Sequence, residues 1–510
     1  MKPNLTLNLG VRYDLQLPRT EKNDLQGSFH PELVQSFPLS TPITLPGTTT
    51  TLTSFLVVPF QYAGHGSSKY IEPIDRWNFE PRLGFAWSPS KYHDRLVVHG
   101  GYGISHQSIL GNNRLPNPDL GGFVNASTLS SGTNVSSGSV DPTSALRLSG
   151  NPAAINPSLT PAQALNIPAN GLVYLPSLGI PGYAIAPDTH IPYVHNWDLT
   201  IQQEIARNTV LELGYVGSKG ADLYTQLINI NPRDFNLVQQ MENAVATDPN
   251  APRGTAVQPI GTETTFTDPL GRTDLLSNKI AIPWGSLAST YQGFNNLNEY
   301  FNSQGSSIRH AGYVSFTSRM KSLEATVNYT YSKSMDNASD ASPDTRTLTT
   351  PTSSGGNVTF GAPLSSDYSI STFDQPHWFT ARYVYDMPFG RRRAFLSDAW
   401  SPIQAIVGGW TTSGLVRINS EYPFMPTLSD ANGLNASTTH TVRPNVNPNE
   451  PLINPLYDRN CVAVTTCEPY VNPAALIRPE KGTLGNAARV LAIRGPLQKF
   501  FDASLQKNFP

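Results

Sequence analysis

The sequence predicts an all-β chain: an antiparallel, up-and-down transmembrane β-barrel wall of about ten strands, with long loops on one rim. Three observations carry this. Hydropathy alternates with period two over segments of about ten residues. That is the length a tilted strand needs to cross a bilayer, ~9–11 residues. Long and short connections then alternate along the chain without a break, so every long one falls on the same side of the sheet.

The first segment runs from Leu5 to Asp14, with Leu5, Leu7, Leu9, Val11 and Tyr13 on one face and Thr6, Asn8, Gly10, Arg12 and Asp14 on the other. In the second, Phe79, Leu83, Phe85 and Trp87 oppose Glu80, Arg82, Gly84 and Ser88. The third sets Leu96, Val98, Tyr102 and Ile104 against Arg95, His99, Gly101 and Gly103. Two later segments repeat the pattern: Leu323, Ala325, Val327, Tyr329 and Tyr331 against Glu324, Thr326 and Asn328, and Phe379, Ala381, Tyr383 and Tyr385 against Thr380, Arg382 and Asp386. Weaker copies lie at Trp197–Gln203, Val210–Tyr224, Arg309–Met320, Ile406–Asn419 and Phe500–Phe509. Helical periodicity is almost absent.

Ser88–Asp94, Ala206–Asn208 and Lys321–Ser322 are tight connections; Pro388 to about Gln404 is of middle length and rich in Arg. The long connections are Gln16–Asp75, Gln107–Tyr193, Gln226–Ile308, Met335–Phe373 and Ser420–Leu497. Structureless connections of that length argue against a compact soluble domain. A soluble β-sandwich also alternates, but it has no reason to keep its long loops on one edge.

Composition narrows the function classes. Charged residues are 14% of the 510, against ~25% in an ordinary soluble domain. The net charge of −2 excludes a binder built on a basic, nucleic-acid-facing surface. Gly (39) and Pro (44) concentrate in the long connections, and the 10% aromatic share argues against disorder. No run of apolar residues is long enough for a transmembrane helix. Met1-Lys2-Pro3-Asn4 leads straight into the first strand pattern, which reads as a chain with no signal peptide of its own.

Chemistry-bearing motifs are few. There is no H-E-x-x-H, P-loop or G-x-S-x-G, so no catalytic residues, metal site or cofactor are expected and the chain reads as a non-enzyme. Gly217-Ser218-Lys219-Gly220 reads as a bulge or kink where a strand leaves the membrane. Asp336, Asp340 and Asp344 recur every four residues but lack the Gly-centred loop calcium needs, and read as a solvated acidic loop. His99 and His106 differ in strand parity and cannot share a face as ligands. Cys461 and Cys467 can close a small loop disulfide or stay as two thiols. Arg391-Arg392-Arg393 falls on the short-turn side, to meet phosphate headgroups or water. The polar face places Arg12, Asp14, Glu80, Arg82, Glu212, Glu324, Arg382 and Asp386 in the lumen, where they line water, pack on a plug or pair across strands. Trp77, Trp87, Tyr102, Trp197, Tyr215, Tyr331, Trp378, Tyr385 and Trp410 sit near strand ends, as aromatic girdles do. The loop aromatics Tyr291, Phe294, Tyr300 and Phe301 are the better ligand contacts.

Six motifs in order resemble the barrel of Oar-like TonB-dependent outer-membrane receptors of the Acidobacteria type. They are Asn78-Phe79-Glu80-Pro81-Arg82-Leu83-Gly84-Phe85-Ala86-Trp87 with Gly100-Gly101-Tyr102-Gly103-Ile104; Trp197-Asp198-Leu199-Thr200-Ile201-Gln202 with Leu211–Gly220; Tyr329–Asp336; Met387-Pro388-Phe389-Gly390-Arg391; Gly408-Gly409-Trp410; and Asp502–Phe509. The resemblance implies an outer-membrane location, lipid as a partner, and in the intact protein an N-terminal regulatory-like domain, a plug and a TonB contact around a barrel of about 22 strands. It also implies transport of a large ligand of the glycan, peptide or siderophore class. On that plan residues 1–510 are one partial barrel domain without plug, N-terminal domain or the final strands. Its two terminal strands are expected to stay unpaired with each other, and the isolated chain to express as aggregate. The alternatives are a non-energised porin or channel and a soluble, secreted β-rich adhesin.

Overall fold

The computed structural model describes residues 4–508 except 19, 21–23, 25, 93–94, 108–132, 135–138, 141–168, 174–181, 225–227, 232–233, 248–286, 293–296, 301–302, 338–366, 427, 430–440, 462–466 and 481–484. Ten long strands form one antiparallel wall. They are β1 (Leu5–Tyr13), β2 (Phe79–Trp87), β3 (Leu96–His106), β4 (Tyr193–Ala206), β5 (Thr209–Leu223), β6 (Gly305–Arg319), β7 (Leu323–Asp336), β8 (His377–Asp386), β9 (Trp410–Asn419) and β10 (Gln498–Lys507). Each pairs with its sequence neighbours, from β1 at one edge to β10 at the other. The two edge strands do not pair with each other, so the sheet stays open, as expected for a wall whose register belongs to a wider cylinder.

Register sorts the side chains into two faces, because directly opposed residues project to the same side. One ladder row crosses all ten strands as Leu5, Trp87, Val98, Ile201, Leu213, Val314, Tyr329, Phe379, Ile418 and Lys499. The adjacent row, on the other face, reads Thr6, Ala86, His99, Thr200, Gly214, Tyr313, Thr330, Trp378, Asn419 and Gln498. Nine of ten positions in the first row are apolar or aromatic, so the period-two pattern is realised in three dimensions. Among the described residues nothing covers that apolar face: Leu9 is 77% exposed, and Leu199, Leu213, Val314 and Leu505 are exposed too. Among the described residues, Ala311 is the one buried apolar side chain on the ten strands. A sheet that shows its apolar face and hides nothing behind it has hydrocarbon as its solvent.

The hydrophobic core lies instead on the long-loop side. The long connections, expected to be structureless, fold. Segments of three of them build a six-stranded sheet in the order Leu172–Val173, Phe60–Tyr62, Gly27–Phe29, Gly182–Ile185, Leu297–Tyr300, Ile228–Asn229. Phe29, Val58, Phe60, Tyr62 and Leu297 form one apolar cluster there. A second joins Leu45, Phe55 and Val57, from the hairpin Gln35–Thr44/Thr51–Val57, to Val238 and Met241 of helix α1 (Phe235–Thr247). Asp234 caps α1, its Oδ1 accepting from the amides of Asn236 and Leu237 at 2.8 and 3.2 Å.

Two strand expectations shift. The segment expected to run from Ile406 begins at Trp410, because Ser401–Val407 is a helix, α2, with Pro402 in its first turn. Gly409 ends it at φ +75°, and a Cβ there would lie 2.2 Å from the Asn508 carbonyl, so only Gly fits. Gly217–Gly220 stays in regular register with β4; the irregularity falls just beyond, between Gly220 and Leu223.

Candidate functional site

The inward polar face collects its charges at two levels. At the loop rim, Glu80 is buried and accepts the His106 amide at 2.8 Å, with Arg82 at 3.4 Å and Arg12 at 4.0 Å. Arg12 also bonds Asp14 at 2.9 Å, and Asp14 lies just past the end of β1, its amide on the Asn78 carbonyl. At the short-turn rim, Glu324 faces Arg319 at 3.6 Å and Asp386 faces Arg393 at 3.0 Å while accepting from Thr411. Slightly above, Glu212 accepts from Gln202 at 2.6 Å and from Tyr313 at 2.7 Å. Seven of the eight lumen residues named from sequence therefore sit in cross-strand networks that hold the wall. Arg382, opposite Thr326 and Leu415, is exposed on the same face.

Level with Arg82 and one inward row below it, the wall is paved with small residues on β1–β3: Gly10, Gly103, Gly84 and Gly101. Further round, Gly214 lies directly opposite Tyr313, and a Cβ there would come within 2.2 Å of the phenol ring. The ring covers the glycine and delivers its hydroxyl to Glu212. Trp378 belongs to this polar face, not to the girdle, and the Arg417 guanidinium lies 5.9 Å from its ring.

The outward face carries a repeat that strand alternation did not reveal. Tyr102 bonds His195 Nδ1 at 2.7 Å, Tyr215 bonds His310 Nδ1 at 2.7 Å, and Tyr329 bonds His377 Nδ1 at 2.8 Å. Each His sits near the loop-side start of β4, β6 or β8, two residues before the position opposite its tyrosine. The legible signal is a His soon after three of the long connections. With Trp197 and Tyr331 ringing the same histidines, these residues make the loop-side girdle.

Of the loop aromatics, Tyr291 packs against the Phe29/Phe60/Tyr62 cluster and exchanges backbone bonds with the Asn231 amide at 2.8 and 2.9 Å. Burial, reinforced by the Glu32 carboxylate, lifts its phenol above the ordinary tyrosine range. The Tyr300 side chain, Phe294 and Phe301 lie outside the described residues, as do Asp340 and Asp344. Asp336 ends β7, buried against Arg489. Cys461 and Cys467 form a disulfide, with Cα atoms 5.8 Å apart.

No group of three or more metal-ligating side chains occurs among the described residues. One hydrolase-like series does occur: Ser28 Oγ lies 3.1 Å from His30 Nε2, and His30 Nδ1 lies 2.6 Å from Glu32. Ser28 is 4% exposed, in an interior strand of the six-stranded sheet, so the series is a local hydrogen-bond chain with no approach for an acyl carbon.

A sequence profile described as "Outer membrane beta barrel domain" matches residues 1–510. The chain belongs to the outer membrane β-barrel domain family. Its location is the outer membrane, and the apolar face described above is the lipid face. Among solved structures the barrel domain is similar to the outer membrane transporter YddB from Escherichia coli, at 9% identity and a TM-score of 0.32, over 75% of this chain and 35% of that one. It is also similar to a structure of the FpvAI–pyocin S2 complex, at 10% identity and a TM-score of 0.27, over 73% of this chain and 27% of that one. The chain thus spans about a third of those neighbours or less. No curated protein matches it in sequence.

Proposed function

We propose that the barrel domain is the wall of an outer-membrane receptor-transporter that admits a large ligand, of the glycan, peptide or siderophore class, and that it performs no catalysis of its own. One observation carries this: a ten-strand ladder with a lipid face and a charged inward face, whose long loops fold together on one rim. A rim built from packed loops is a preorganised surface for an incoming ligand, and a polar wall is a path behind it. Oar-like membership, a plug and a TonB contact are parts of this reading, supported by the six sequence motifs. The exposed apolar row speaks against the secreted adhesin, which would bury it.

The test is uptake by cells with and without the intact gene, using labelled oligosaccharides, oligopeptides and ferric siderophores, each with and without a protonophore. A receptor loses uptake of one probe class on deletion and also on collapse of the proton gradient. A porin loses it on deletion but ignores the protonophore. Unchanged uptake of all three classes on deletion would overturn the proposal.

A further inference from the structure

The connection from β8 to β9 lies on the short-turn rim and differs from the other turns there. It presents Phe395, Leu396, Trp400, Ile403 and Ile406 to the outside; Trp400 is 74% and Ile406 70% exposed. The same connection carries Arg391 and Arg392, both exposed. A small fold holds these groups in place. Phe389 and Phe395 bridge, with ring centroids 5.9 Å apart, and the Gly390 amide donates to the Phe395 carbonyl at 3.0 Å. Gln404 reaches back from α2 to the Leu396 and Ser397 carbonyls.

Its attachment says which side of the wall it occupies. The Ile406 carbonyl at the end of α2 accepts from Trp410 Nε1 at 2.8 Å and from Lys507 Nζ at 2.8 Å. Lys507 Nζ also reaches the Gly408 carbonyl at 3.0 Å and lies 4.7 Å from the centre of the Trp410 ring. Trp410 and Lys507 are register partners on the apolar face, two positions from the pair Thr412–Leu505, which continues through Tyr385. The end of α2 is therefore fastened to the lipid side, continuous with the apolar face. Exposed Trp and Ile beside Arg, at the level where a strand leaves the hydrocarbon, is the composition of a segment lying in a headgroup layer. Arg matches phosphate oxygens bidentately.

We infer that Phe389–Gly409 is an interfacial anchor: α2 and Trp400 lie in the headgroup layer of the leaflet at the short-turn rim, and Arg391 and Arg392 bind the phosphates of anionic phospholipid. The anchor stands on the lipid face alone and does not depend on what the barrel transports.

The test uses the full chain in nanodiscs, with the native disulfide intact and an environment-sensitive fluorophore at Ile406→Cys or, as a second position, Trp400→Cys. Asn449→Cys, exposed on the loop side, is the aqueous reference. Heat-modifiable gel mobility first selects the variants that fold. The expected result is a blue-shifted label, quenched by nitroxide borne near the lipid headgroup and protected from iodide relative to Asn449→Cys. Adding Arg391→Gln and Arg392→Gln is expected to move the label toward water in phosphatidylglycerol discs, with no shift in phosphatidylcholine discs. Iodide quenching equal to the reference at both positions overturns the anchor and leaves the face to a protein partner. An Arg pair whose removal has the same effect in both lipids overturns the phosphate assignment.

Discussion

Val327→Arg puts the two-faced wall to its most direct test. Val327 is the fifth residue of β7, opposite Phe316 and Ala381 on the apolar face. Four steps at ~3.4 Å place it about 14 Å along the strand from the short-turn end. A tilt of roughly 40° makes that about 10 Å of height in an apolar band ~25 Å tall, close to the midplane. Arg at the midplane costs ~2–4 kcal/mol, roughly a 30- to 900-fold loss in the folding equilibrium. Asn328→Arg is the internal control. It moves one residue along the strand but projects inward, between Ser315 and Thr380, where a charge meets water; its cost is expected to stay near 0.5 kcal/mol. Both variants are refolded from inclusion bodies into phospholipid vesicles and titrated with urea, the folded fraction being read from heat-modifiable mobility. Equal costs for the two, or a larger cost for Asn328→Arg, would falsify the assignment of faces.

Gly214→Ala drives a methyl group into the Tyr313 ring and breaks its bond to Glu212, at an expected ~1–3 kcal/mol in the same titration; adding Tyr313→Ala should recover part of the loss, and strict additivity would argue against the contact. Arg489→Met leaves Asp336 buried without its guanidinium. The expected cost is ~3–5 kcal/mol, seen as faster protease nicking within 420–497, and an unchanged nicking rate would count against the tie. Burial raises the Tyr62 phenol above its ordinary pKa of about 10. The loop-side cap, meaning the six-stranded sheet and its two apolar clusters, then holds its proton longer when folded than the unfolded chain does, so the stability is fully present below pH ~10 and falls as the pH rises beyond it. Tyr62→Phe should flatten that alkaline loss, measured by the dichroism of the cap or by protease sensitivity of residues 26–63.

The wall was legible because lipid acts on every strand in the same way. With no second sheet or helix to pack against, alternation is undisturbed, and all ten strand starts fall within four residues of expectation. The largest shifts are four residues: β4 begins at Tyr193 and β6 at Gly305, ahead of expectation, and β9 at Trp410, behind it. The cap was not legible, and the reason is contact order. Its strands are two to four residues long and pair segments from three different loops, as when Ala184 meets Phe29 in parallel. No local period announces such a pairing. Helix α1 does carry a helical signal, with Leu237, Val238, Met241, Ala244 and Val245 on one face, but it is a single short element set inside a long connection rich in polar residues. Parity sets these charges on one polar face, but their sorting into two rims depends on strand register, which parity alone does not supply.

The rim is welded by two different chemistries. Over β1–β6, three loops share one sheet and two apolar clusters, so the hydrophobic effect joins them. Over β7–β10, the remaining two loops meet through arginines paired with buried aspartates. Arg489 binds Asp336 and the Asp367 carbonyl, Arg443 lies 3.5 Å from Asp367, and Arg494 pairs with Asp374. Each arginine comes from 420–497 and each aspartate from the end of β7 or the loop that follows it, so the ion pairs tie neighbouring hairpins to one another. Burial pulls the Arg443 pKa down, and the Arg489 charge adds to that, while Asp367 opposes it. Backbone ladder bonds fix the register of the shared sheet, and the apolar clusters pack onto it. An ion pair to a buried carboxylate is as demanding, because a misplaced partner leaves a desolvated charge. Both halves of the rim are therefore held in place, one by a shared sheet with its apolar clusters and the other by ion pairs.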